Sequence, residues 1–311
     1  MTIRKTVGIS SITLIIATVL TAFYVLEELL LPINHVSASG YGLSAIDYRL
    51  VSILVNLPLI IIWFVAFWGY SQLKAYSKSL GNSREAPAYR SLAIGIAWLT
   101  YGLIIKTMVE RLLAALSNTN PALVGPTTII SSYLNLILPL IGFIIIFAAS
   151  KTLMRLQSSL TKTIKPLQLM GLCLVAGAIY NFTYIRAAGL HSISSHNNIY
   201  NLPGWLLLIS LILPYLYAWL IGLTASYQLG LISLHSSGIL YKKALSYLTI
   251  GLITIVIGFM FNQYLSAIWP LKNHLVLNYQ LIIILLFRII SGIGFIIAAI
   301  GANKLRMIEE L

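Results

Sequence analysis

Lys106, Glu110 and Arg111 are ionisable residues set in the stretch 91–116, which is otherwise apolar and long enough to cross a bilayer. A charge at membrane depth costs about 2.5–3.5 kcal/mol even on the mildest insertion scales, so one that is kept faces protein, water or a ligand. Lys106 and Glu110 stand one helical turn apart and pair readily along one face, a structural reading that competes with a functional one. Arg288 has no acidic neighbour in its own apolar run and requires a partner from another helix or a ligand. A guanidinium holds carboxylates and phosphates through two parallel hydrogen bonds, so the chemistry in view is recognition of a small anionic or zwitterionic ligand or a lipid headgroup.

Arg186, Glu27 and Glu28 also fall within apolar windows, near their outer ends, where long stems let a charged head reach the interface. Asn135 and Asn262 are neutral polar residues at comparable depth. The candidate ligand-binding set is therefore Arg288, Lys106, Glu110, Arg111, Arg186, Asn135 and Asn262.

Other chemistries find little support. His35, His191, His196 and His274 map to outer loops near Asp47, but their spacing matches no regular ligand pair, and solvated loop histidines are the simpler reading. No histidine sits inside an apolar window, which argues against haem ligation between helices. The single cysteine, Cys173, excludes an intrachain disulfide framework and reads as a small core residue. No nucleophile elbow, phosphate loop or zinc-protease motif is present. No catalytic residue, metal or cofactor is assigned.

The elements that position these groups follow from composition. With 59% hydrophobic and 9% charged residues, the chain reads as an all-α polytopic membrane bundle forming one domain over 1–311. Apolar windows of spanning length lie at 7–31, 50–72, 91–117, 127–150, 167–190, 204–229, 245–269 and 279–303, about eight transmembrane helices. The first window resembles a signal peptide, but its apolar run is too long for one, so it is read as helix one.

The net charge of +13 does not indicate nucleic acid, because the basic residues define a topology. They cluster before window one, in every second connection, where Lys74, Lys78, Arg84, Arg90, Lys151, Arg155, Lys162, Lys165, Lys242 and Lys243 lie, and after window eight, with Lys304 and Arg306; the intervening loops carry only Arg49 and Lys272. The positive-inside rule then places both termini in the cytoplasm of a plasma or bacterial inner membrane. On this topology the candidate charges all fall in the outer half of the bundle, while 60–68, 140–149, 169–178 and 293–302 hold no charged residue.

Three inward-running windows share a proline, Pro58, Pro139 and Pro214, and in the last Arg288 stands at comparable depth. Gln72 follows Pro58 as Gln228 follows Pro214, and Ile141-Gly142-Phe143-Ile144-Ile145 is repeated as Ile293-Gly294-Phe295-Ile296-Ile297. The spacing predicts a parallel helical-hairpin repeat.

Three functions compete. The first is a sensory or regulatory protein that binds its ligand in an outward-facing polar pocket and acts through a cytoplasmic or membrane partner protein at its basic inner loops, since no effector domain is read in the chain. The second is a small-solute or lipid transporter, and the third an outer-face membrane enzyme.

Overall fold

The computed structural model describes residues 45–119, 124–156, 204–236, 238–268 and 277–309. Their regular structure is six helices with no strand: α1 Ala45–Ser79, α2 Ala86–Thr119, α3 Val124–Leu156, α4 Gly204–His235, α5 Ile239–Ile268 and α6 Leu277–Glu309. Six expected windows coincide with these helices. The windows 7–31 and 167–190 lie outside the described residues.

Three helices carry stretches long and apolar enough to cross a membrane, Leu136–Leu156, Ile239–Met260 and Leu285–Ile308. Exposed side chains on the helices agree with that solvent. Ile130, Ile137 and Ile144 form a stripe on α3, and Leu286, Ile289, Ile293 and Ile296 form one on α6. Helical spacing of exposed aliphatic residues suits a face turned to lipid tails.

The helices pack in chain order as a closed ring: α1 on α2, α2 on α3, α3 on α4, α4 on α5, α5 on α6, and α6 back on α1. α3 also touches α5. Neighbours run antiparallel at α1–α2, α2–α3, α4–α5 and α5–α6, whereas α3–α4 and α6–α1 are parallel seams. The parallel sense follows from contacts such as Gly292 against Ile62 and Gly69 against Ala299, which advance together along α6 and α1.

Glycines set the closest approaches. A Cβ on Gly95 of α2 would lie 2.5 Å from Ile146 Cγ1 and 3.2 Å from the Gly142 carbonyl of α3. On Gly251 of α5 it would lie 2.5 Å from the Ala298 nitrogen and 2.7 Å from the Gly294 carbonyl of α6. Small residues allow such backbone-to-backbone packing, which holds membrane helices together where lipid removes the hydrophobic drive.

The two described turns lie at one end of the ring. α1 stops at Gly81, whose φ of 56° is left-handed, and Pro87 enters the first turn of α2, where a missing N–H breaks no helical bond. Ser77 donates to the Ala86 carbonyl at 2.7 Å, tying α1 to α2 across that turn. Ser233 donates to the Lys242 carbonyl at 2.8 Å, tying α4 to α5 in the same way.

Candidate functional site

α6 places Arg288 half-buried, roughly 120° round the helix from its exposed stripe. Its side chain does not lack an interaction within the protein. Phe287, beside it in sequence, is buried and meets Phe259 edge-on at 6.0 Å; Phe259 in turn meets Phe143 of α3 at 5.7 Å. Arg288 thus follows directly on a chain of aromatic rings linking α3, α5 and α6.

Of the other predicted ligands, Lys106, Glu110 and Arg111 fall on α2, Asn135 on α3 and Asn262 on α5, while their side chains lie outside the described residues. Arg186, Glu27 and Glu28 lie outside the described residues altogether, as do His35, His191, His196 and Cys173. Among the described residues no cluster of three or more histidine, cysteine, aspartate or glutamate side chains offers a metal site.

A second polar region lies at the end of the ring that bears the α1–α2 and α4–α5 connections. Lys74, Lys78, Arg84, Arg90, Lys151, Arg155, Lys242, Lys243, Lys304 and Arg306 all gather there, because four helices end and two begin at that face. Several keep their stems on apolar surface: the Lys74 ammonium lies 5.3 Å from the Tyr70 ring centroid and that of Lys304 5.0 Å from Tyr247.

Just inside this basic rim, each parallel seam carries a buried glutamine. Gln72 of α1 accepts a hydrogen bond from Arg306 Nη1 of α6 at 3.0 Å. Gln228 of α4 is fully buried, with Ser150 Oγ of α3 at 2.6 Å from its Oε1. The Ser150 hydroxyl also lies 3.0 Å from the Phe147 carbonyl, and its one hydrogen serves a single acceptor at a time. If the Gln228 amide is turned, Nε2 donates to Ser150 and Ser150 to Phe147; in either orientation one amide atom of Gln228 is buried without a partner.

Tyr89 of α2 and Tyr241 of α5 are hydrogen-bonded through their phenols across this same end. Tyr76 of α1 packs edge-on against Tyr89 at 4.9 Å. Burial, followed by the neighbouring Tyr241, pushes the Tyr89 phenol well above the ordinary tyrosine value. The neutral form is therefore favoured by folding; that stabilisation is complete below the ordinary pKa near 10 and is lost only as pH climbs past it.

The repeat in the sequence includes both glutamines without giving them a role, and no feature of the sequence singles out Tyr89 or Tyr241. The signal for the glutamines was in hand: each lies fourteen residues after a proline. The tyrosine pair carries no local motif, because its partners come from distant helices.

Comparison with protein-family models, with curated proteins and with solved structures found no match.

Proposed function

We propose that the chain is a multi-pass integral membrane protein of about eight spans with both termini cytoplasmic, built from parallel repeats, that binds a small anionic or zwitterionic ligand or lipid headgroup from outside. Its role on this reading is sensory or regulatory, acting with a partner protein at the basic inner face. Arg288 carries the ligand reading. Taking Gly142 and Gly294 as matched positions, Arg288 stands where α3 has the buried Leu136, and Ser291 rather than Arg288 falls opposite Pro139. An arginine in place of a core leucine, within an apolar stretch, is kept for what it holds, and beyond its interaction within the protein the five-donor guanidinium has donors to offer a carboxylate or phosphate.

The repeat is supported by positions 156 residues apart that recur in type and in burial: Trp63 and Trp219, Gln72 and Gln228, Ser77 and Ser233, Gly95 and Gly251. The Ser77 and Ser233 hydrogen bonds fall at the same offset, as do their acceptors Ala86 and Lys242. A unit of α1–α3 followed by a unit of α4–α6 accounts for the ring and its two parallel seams, with an axis along the ring. This two-unit arrangement favours transport as the second reading, since many transporters are built from parallel repeats.

Thermal unfolding of the detergent-solubilised protein, titrated with small carboxylates, phosphates and zwitterionic amino acids, tests the ligand reading. At least one compound is expected to raise the Tm, with the shift abolished in Arg288→Ala and reduced in Arg288→Lys, which keeps the charge but not the planar fork. A shift that survives Arg288→Ala removes this residue from the site. Uptake of the stabilising compound into proteoliposomes, lost with Arg288→Ala, would favour transport over sensing.

A further inference from the structure

α2 and α5 stand across the ring from one another and do not otherwise pack along their described residues. The Tyr89–Tyr241 hydrogen bond spans that gap at the basic end. The other interhelical hydrogen bonds described above each join ring neighbours. We propose that the Tyr89–Tyr241 pair is a latch that closes the inner mouth between the α1–α3 and α4–α6 halves, which part when it is released.

Three observations support a movable closure over a fixed strut. The first is an opposing force. Arg90 follows Tyr89 directly, Lys242 and Lys243 follow Tyr241, and all three are exposed; the Glu85 carboxylate acts on both phenols but offsets only one of these charges, so a net positive charge flanks the latch. The repulsion that remains pushes the mouth open and weakens with salt, whereas a neutral phenol pair holds it shut.

The second observation is where the ring is tight. Gly95 and Gly251 bring backbones together inside each half, at α2–α3 and α5–α6, and leave little slack there. The third is that the two seams between halves are unequal. At α6–α1, Gly69 would place a Cβ 3.2 Å from Ala299 Cα, and Arg306 reinforces the seam with a charged donor to Gln72. At Gly222 the nearest atom, Val256 Cγ2 at 2.6 Å, belongs to α5 within the same half; toward α3 the nearest is a ring carbon of Phe143, at 3.1 Å, a side chain where Gly69 meets backbone, and the Ser150–Gln228 contact leaves an amide atom unsatisfied. The α6–α1 seam is therefore the hinge and the α3–α4 seam the one that opens.

The latch does not rest on the ligand reading, and its test needs no ligand. Spin labels at Pro87→Cys and Ile239→Cys, both exposed and next to the latch, report the distance across the mouth in full-length protein carrying Cys173→Ser. The parent is expected to give one narrow distribution. Tyr89→Phe and Tyr241→Phe, which keep the rings and remove one hydroxyl each, should add a population several ångström longer. That population should grow at about 20 mM salt and shrink at about 0.5 M. Circular dichroism of each variant, matching the parent, establishes that the helices are intact. The parent is itself an arm of the test, because lowering salt should broaden its distribution without any substitution at the latch. The latch is overturned if the double Phe variant and the parent give the same distribution at both salt concentrations.

Discussion

Gln228 presents a carboxamide with two donors and one acceptor to an environment that satisfies only one side of it. An unmet buried polar atom costs about 1–3 kcal/mol, more than the net value of the bond on its other side. Gln228→Met, of similar length and without the unmet atom, is therefore expected to be neutral or to stabilise by up to about 1 kcal/mol. Ser150→Ala, which strands the whole amide, should destabilise by about 1–2 kcal/mol. Melting temperatures of the two variants in one detergent check the sign, and a Gln228→Met protein that melts well below the parent would mean that the amide has a partner not accounted for. At this scale the sequence was informative where a residue type is improbable in its setting, as with Arg288 among aliphatics. It was silent where the type is ordinary: tyrosines near a helix end read as interfacial belts, and only the fold brings Tyr89 to Tyr241.

Among the helices, the glycines rank themselves by what a methyl group would meet. At Gly251 the obstruction is backbone, the Ala298 nitrogen at 2.5 Å and the Gly294 carbonyl at 2.7 Å, so the α5–α6 pair must separate to admit it. At Gly95 the nearest atom is Ile146 Cγ1, a side chain that can turn, although Ile146 N at 3.1 Å still crowds the methyl. At Gly230 only Thr249 Cγ2, at 3.4 Å, is near. Gly251→Ala should cost most, about 2–3 kcal/mol, Gly95→Ala less, while Gly230→Ala should gain up to about 1 kcal/mol from helix propensity. Thermal melts of the three variants test the order, and an equal loss at Gly251 and Gly230 would deny the backbone contact. Helix existence was legible because spanning length and hydropathy suffice for it. Helix ends were not: α1 runs on to Ser79 past Lys74 and Lys78, since intrahelical hydrogen bonding continues past the end of the apolar run until Gly81 turns left-handed.

For the whole molecule, the charge pattern and the ring make a joint demand. The α1–α2 and α4–α5 connections sit at the end that collects the basic residues, a consequence of antiparallel α1–α2 and α4–α5 pairs joined by parallel seams. On the proposed two-unit reading both units share one orientation, whereas an inverted repeat would put one basic turn on each side of the membrane. Retention of Lys and Arg on the cytoplasmic side predicts that both turns face the cytoplasm. Single cysteines at Asn82 and His235, each exposed, placed in Cys173→Ser protein in intact cells, should resist a membrane-impermeant maleimide and react fully once the cells are opened. Labelling of only one of the two from outside would break the parallel arrangement, and with it the two-unit reading of the ring. Labelling of both from outside would keep the ring and reverse its orientation, which would carry Arg288 to the cytoplasmic half and the Tyr89–Tyr241 latch to the outer mouth.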